Sequence, residues 1–247
     1  MRVALLGDVH GDLALLQRCV ASAAEKGAGA AIQLGDFGFA ADLLGPGRPW
    51  PRFPIPLLAL CGNHEDHAFL RHARASGLAE SWAAHGLCYQ ARGSTARLGG
   101  RTVLFVGGAL HTDRPQEADR GNLISDDDIA TALRASACAP PDLVATHSCP
   151  AGIGIGLRGN PDLAYGVAQF VHAAGFDGGP SDDCGEVPLR RLWEGLPRRP
   201  AIWAHGHFHI SARTTIQGTT FIVLPEAAPT AMTAWDTASN TVVPLAD

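Results

Sequence analysis

Short apolar runs that stop at glycine and continue into a metal-competent side chain recur along this chain, and no other feature constrains the fold as tightly. The first is Leu5-Leu6-Gly7-Asp8-Val9-His10-Gly11-Asp12. Arg2 to Leu6 is too short for a helix and is cut off at once by glycine, so it reads as a buried strand. Asp8 and His10 lie two residues apart, and in extended chain such side chains point to the same side. Gly7 and Gly11 flank them, where the backbone must turn or let something approach closely. Ala30 to Leu34 repeats the pattern and ends in Gly35-Asp36-Phe37-Gly38, and Pro56 to Cys61 repeats it before Gly62-Asn63-His64-Glu65. Between the first two runs, Asp12 is placed to cap a helix over 13–26, whose apolar residues fall at helical spacing. Strand, helix and strand at this spacing imply a parallel pair joined by a crossover. Asp8 and Asp36 then emerge at the carboxyl ends of neighbouring strands, where ligand sites of open α/β sheets gather.

The rest of the chain extends the pattern. The Pro- and Gly-rich stretch 40–56 reads as a surface loop that could overhang the site, and a helix is expected from Glu65 to Ser76. Leu87 to Leu98 and Arg101 to Val106 read as strands joined by a Gly99-Gly100 hairpin turn. Ser125 caps a helix that opens with Asp126-Asp127-Asp128, a charge pattern that suits a helix N-terminus better than a metal site. Asp142 to Thr146 is a strand with His147 at its end. Residues 150–185 form a long loop with a short helix near 163–173, and 189–196 is helical. Ala201 to Ala204 is a strand leading into His205-Gly206-His207-Phe208-His209. Two strands split at Gly218 follow, then a pair near 231–236 and 241–244. With neither repeat nor linker, residues 1–247 read as one domain.

Composition narrows the class. An apolar share of 46% with 17% charged residues suits a packed α/β protein, and a formal charge of −5 argues against a chain-wide footprint for nucleic acid. No apolar run is long enough for a membrane span, and Asp8 comes too early for a signal peptide, so a cytoplasmic location is expected. Cys19, Cys61, Cys88, Cys138, Cys149 and Cys184 contain no Cys-X-X-Cys pair and read as buried, reduced thiols.

Loops that follow separate strands thus offer Asp8, His10, Asp36, Asn63, His147, His207 and His209. A single ion takes about four to six ligands, so this set suits two divalent ions. A carboxylate at the centre could bridge ions roughly 3.5–4 Å apart, and a hydroxide between them could attack a phosphoryl group in line. His111 follows a strand and could approach the site. His205 could hydrogen-bond a ligand. His67, His72, His85 and His172 lack the pattern and read as surface or satisfied polar residues.

The ordered series Gly-Asp-Val-His-Gly, Gly-Asp-Phe-Gly, Gly-Asn-His-Glu, Thr-His and Gly-His-Phe-His resembles the calcineurin-like metallophosphoesterase superfamily, from residue 7 to residue 209. The resemblance implies a four-layer α/β/β/α sandwich with two central mixed sheets and the site at strand carboxyl ends. It implies two divalent metal ions, Mn2+ first, with Fe or Zn as alternatives. Asp8, His10 and His209 would bind the first ion, Asn63, His147 and His207 the second, and Asp36 would bridge. His64 would contact the phosphate and protonate the leaving oxygen as general acid. The implied substrate is a phosphate ester, small molecule or nucleic acid, cleaved as a monoester or a diester. Phosphoprotein phosphatases of the superfamily continue the second motif to an Asp-Arg pair. Here Phe37-Gly38-Phe39-Ala40 stands there, which weakens the protein phosphatase reading; Arg114 or Arg158 could supply the missing cation. A nuclease remains an alternative, as does a non-catalytic scaffold.

Overall fold

Along β1 (Arg2–Leu6), Val3 and Leu5 face one way and Ala4 and Leu6 the other, and all of them are buried. Burial on both faces is what a strand between two layers requires. The computed structural model describes residues 1–111, 120–153, 161–179 and 184–245. In it β1 pairs in parallel with β2 (Ala28–Gln33), then β3 (Leu57–Ala59) and β4 (Leu87–Tyr89). On its other side lie β11 (Met232–Asp236) and β12 (Thr241–Leu245), both antiparallel, giving the order β12-β11-β1-β2-β3-β4.

The second sheet mirrors this plan. β6 (Arg101–Val106), β7 (Leu143–Thr146), β8 (Ile202–His205) and β10 (Thr219–Val223) are parallel. β5 (Ser94–Leu98) and β9 (Ala212–Ile216) close its edges antiparallel, in the order β5-β6-β7-β8-β10-β9.

Three apolar clusters hold the layers together. Val3, Leu5, Ile32, Phe105, Ala145, Ile222 and Trp235 fill the space between the sheets. Ala4 and Leu6 pack with α1 (Leu13–Glu25) and α3 (His67–Ala75) outside the first sheet. Val144 and Trp203 pack with α5 (Asp126–Cys138) and α7 (Val187–Gly195) outside the second. The result is the expected four-layer sandwich of two six-stranded mixed sheets flanked by helices. The caps follow from side-chain chemistry. Asp12 accepts the Leu15 N–H at 2.8 Å, and Ser125 and Asp128 form a reciprocal capping box. The aspartates at 126–128 therefore serve a helix start, with Asp126 also paired to Arg191.

Several local expectations change. The run 87–98 is two strands in different sheets, broken where Arg92 reaches the carbonyls of Gly121, Asn122 and Leu123. Residues 40–56 do not stay at the surface: they contain the short α2 (Ala41–Leu44), Phe53 is buried, and Trp50 packs on the first apolar cluster. α3 begins at His67, with Asp66 as its cap, so Glu65 lies before the helix. Residues 161–166 are α-helix, but 167–172 continue as a π-helix. None of the six cysteines is in a disulfide; Cys138 is exposed and Cys88 half-buried rather than buried. Among the described residues, no helix is long and apolar enough to cross a membrane.

Asp142 ties the second sheet together. Its carboxylate accepts the Thr102 N–H at 3.0 Å and meets Arg101 and Arg198 at 3.3 and 3.4 Å. Burial alone would raise its pKa; the Thr102 N–H and the two arginines outweigh burial and hold the carboxyl below its usual range. A lowered carboxylate pKa stabilises the fold fully above the unfolded value and less as pH falls through the folded one. Asp142→Asn is thus expected to cost about 1 kcal/mol at neutral pH and to cost progressively less below about pH 4. Urea titrations of both proteins across that range test this, and an equal gap at every pH would rule the ion pairing out as the cause.

Candidate metal centre

All the candidate ligands lie in loops at the carboxyl ends of the parallel strands of both sheets. β1 leads to Asp8 and His10, β2 to Asp36, β3 to Asn63, β7 to His147, and β8 to His207 and His209. Asp8, Asp36, Asn63 and His147 form a floor exposed by 2% or less, while His10 and His209 stand exposed at the rim and His207 is half-buried. The loops cross-brace one another. The Val9 and His10 N–H groups donate to the Asp36 carbonyl, and the Gly206 N–H donates to the His147 carbonyl at 2.9 Å.

Backbone strain gathers here as well. Among the described residues, six non-glycine positions have positive φ, and four of them are His10, Asp36, His207 and His209. Such conformations persist only where the surroundings impose them, and they cluster at functional sites. Two motif glycines have a steric reason. A Cβ on Gly62 would overlap the Asp36 carboxylate, and one on Gly206 would overlap that of Asp8. Each glycine admits a side chain from another loop.

The side chains converge in two linked groups. Potential ligand atoms of Asp8, His10 and His209 lie within 4.8 Å of one another, as do those of Asp8, Asp36 and His147. His209 Nε2 is 3.0 Å from both Asp8 Oδ2 and His10 Nε2. Asp36 directs Oδ2 towards His10 at 3.7 Å and Oδ1 towards His147 at 3.4 Å, so its two oxygens face the two halves of the cluster. Asn63 Oδ1 is 2.9 Å from His147 Nε2, and the His207 ring lies 4.9 Å from that of His147. The His147 Nδ1 faces the Leu34 carbonyl at 2.8 Å, which leaves Nε2 turned into the cluster.

The electrostatics suit cations. Burial disfavours a charged Asp36, but His147 and the His64 N–H outweigh it and hold the carboxyl well below its usual range. Burial likewise works against a charged His147, and the Asp36 and Asp8 charges overcome it and push its pKa up to about 10. Desolvation of the His207 ring, and then the charge on His147, hold its pKa well below the usual imidazole value. The hydrogen bond that Asp8 accepts from His209 is the largest cause raising the His209 pKa above its usual value. Two buried carboxylates thus draw positive charge into the cluster. Divalent ions would supply that charge and release the His147 proton, and carboxylate, imidazole and amide oxygen form a donor set such ions accept. The residues present therefore fit a two-ion centre.

His64 is exposed at the mouth. Its N–H donates to Asp36 Oδ1 at 2.9 Å, and its ring stands edge-on to His10 and His111 at 5.5 and 4.9 Å. Arg114 and Arg158 lie outside the described residues.

Sequence reasoning overlooked Glu65. Its Oε1 accepts the N–H groups of Phe37 and Gly62, and its Oε2 those of Gly38 and Phe39, at 2.7–3.1 Å. One carboxylate therefore joins the Asp36 loop to the Asn63 loop. Burial and the Asp36 charge raise its pKa to about 7 against these hydrogen bonds. Its place directly after Asn63-His64 was the available signal. His111, which could only be said to approach the site, is buried with Nδ1 3.0 Å from Asn63 Nδ2. That contact orients the amide so that Oδ1 faces the cluster. His205 lies in β8, fully buried, with Nδ1 against the Gly206 carbonyl and no direct hydrogen bond to a candidate ligand.

A family model described as calcineurin-like phosphoesterase matches residues 1–211. Among curated proteins no match is found. One crystal structure superposes with a TM-score of 0.66 at 14% identity, covering 98% of this chain and 97% of the other. TT1561 of Thermus thermophilus superposes with a TM-score of 0.61 at 12% identity, covering 98% and 97% of the two chains. A putative 5'-nucleotidase from Staphylococcus aureus gives 0.52 at 12% identity, covering 100% of this chain and 54% of that one. At these identities the likeness is one of fold.

Proposed function

This chain belongs to the calcineurin-like phosphoesterase family, and from that premise we propose that it hydrolyses phosphate esters with two divalent ions, Mn2+ first and Fe or Zn as alternatives. The observation that carries the reading is the Asp36 carboxylate, whose oxygens face His10 on one side and His147 on the other. Asp8, His10 and His209 would hold one ion, Asn63, His147 and His207 the other, and Asp36 would serve both. When bound, the ions supply Lewis acidity: they acidify water and offset charge on the phosphoryl oxygens.

The remaining work falls to the chain. Asp8 orients His209 through Nε2 and receives the His207 N–H at 3.1 Å, which fixes the loop after β8. His111 and His147 hold the two ends of the Asn63 amide. His64, exposed and with its backbone anchored on Asp36, is placed to contact the phosphate and give a proton to the leaving oxygen. Residues 1–247 act as one domain in this reading, because β11 and β12 complete the sheet that carries Asp8 and Asp36.

A protein phosphatase is disfavoured. Phe37 and Phe39, where that branch carries its Asp-Arg pair, are buried and stacked at 4.4 Å in the core. The net charge of −5 weighs against a nuclease, and the full ligand set weighs against a scaffold.

The test is turnover of p-nitrophenyl phosphate and bis-p-nitrophenyl phosphate by Mn2+-loaded protein. Activity on either is expected, and inactivity on both with two ions bound would remove the proposal. His64→Ala is expected to lower turnover by about 10²–10⁴-fold while leaving metal content unchanged. Unaltered turnover would deny His64 its role.

A further inference from the structure

Glu186 is a buried carboxylate that the proposed reaction does not use. It stands at the start of α7, where a short polar side chain would cap the helix, yet its side chain makes no cap hydrogen bond. The carboxylate crosses instead to the loop after β6, where Oε1 accepts the Leu110 N–H at 2.8 Å. Its backbone is fastened elsewhere. The Glu186 N–H donates to the Cys149 carbonyl at 2.7 Å, and the Ala151 N–H donates to the Glu186 carbonyl at 3.2 Å. A Cβ on Gly185 would overlap that Cys149 carbonyl, so glycine is what lets the two segments lie so close. Glu186 thus ties the loop after β7, which carries His147, to the loop after β6, which carries His111.

Residues 107–111 include none of the candidate ligands, but His111 Nδ1 meets the Asn63 amide at 3.0 Å. Successive residues of this loop are pinned from outside it. The Gly108 N–H donates to the Cys61 carbonyl at 2.8 Å, Asn122 Nδ2 donates to the Ala109 carbonyl at 2.9 Å, and Glu186 receives the Leu110 N–H. The Leu110 bond is the one next to His111 in the chain, so it bears most directly on where that ring stands. Accepting an N–H takes an oxygen at the right distance rather than a charge. A glutamine oxygen at 186 could do it. An aspartate would carry the charge but end about 1.5 Å short, one C–C bond.

We infer that Glu186 is a positioning residue for the second ion: through the Leu110 N–H it sets His111, and through His111 the direction of the Asn63 amide oxygen. This role rests on the two-ion reading of the centre, in which Asn63 serves the second ion, but not on the reaction proposed for it. Partners that hold a metal ligand from behind govern about 10–100-fold in metal affinity.

The test is calorimetric titration of the full-length, metal-free protein with Mn2+, comparing the parent with Glu186→Gln and Glu186→Asp. The parent is expected to bind two ions. Glu186→Gln, which keeps the reach and loses the charge, should retain both affinities. Glu186→Asp, which keeps the charge and loses the reach, should retain one and weaken the other at least about tenfold. In a His111→Phe background, Glu186→Asp should add no further loss, because the route through the imidazole is already cut. Melting temperatures of the metal-free proteins separate this role from a merely structural one, which would weaken both ions in step with a falling midpoint. Glu186→Gln binding the second ion no better than Glu186→Asp, equal weakening of both ions, or additive losses in the His111→Phe background overturns the proposal. A parent that takes up fewer than two ions removes the two-ion reading itself, before any variant is compared, and the role of Glu186 falls with it.

Discussion

Replacing Asp36 with alanine is expected to cut metal-dependent phosphoester hydrolysis by about 10³-fold or more, and to strip the protein of at least one ion. Asp36 turns one carboxylate oxygen towards His10 and the other towards His147, so it faces both halves of the cluster. Its Oδ1 also receives the His64 N–H, so the carboxylate sets the start of the loop that carries the proposed acid. Asp36→Asn separates these roles. The amide oxygen can still accept from His64, but the negative charge that draws cations inward is gone. Elemental analysis and turnover measured together decide the matter. The asparagine variant should keep its melting temperature and lose metal. Two ions retained at full activity would show that Asp36 is not shared between them.

The second large effect is expected at a residue that touches no metal. Glu65 receives the N–H groups of Phe37, Gly38, Phe39 and Gly62. A buried N–H left without an acceptor costs about 1–3 kcal/mol. Glu65→Gln keeps one accepting oxygen and turns an NH2 group against donors, so roughly 3 kcal/mol of stability should be lost, along with about 10–100-fold in metal affinity. The loss should appear in urea unfolding and in metal titration alike, because one carboxylate positions both the Asp36 and the Asn63 loops. A variant with parental unfolding midpoint and parental metal affinity would reduce Glu65 to a bystander.

Much of the architecture could be read from the chain, for local reasons. Apolar runs such as Arg2–Leu6 are too short for helices and lack polar alternation, which marks strands buried on both faces. Gly7, Gly35 and Gly62, each followed by Asp or Asn, marked candidate ligands because both signals are carried by adjacent residues. The caps at Asp12 and Ser125 and the turn at Gly99-Gly100 are equally local. Where partners are distant, the reading failed. Residues 87–98 looked like one strand, since nothing nearby reveals that Arg92 will be drawn to carbonyls about thirty residues on and split the run between two sheets. The stretch 40–56 looked solvent-exposed because its Pro and Gly content conceals that Phe53 has a core to enter.

What the residue order determined by itself was most of the strands, the parallel sense of the first pair and the candidate side chains at the strand ends, because backbone propensity and side-chain chemistry act over a few positions. What only the tertiary structure decided was which of those side chains meet and how they are held: Asp36 between His10 and His147, Glu65 clasping two loops, and His111 turning the Asn63 amide. Those contacts join residues as many as 111 positions apart, and they form only when packing brings the loops together.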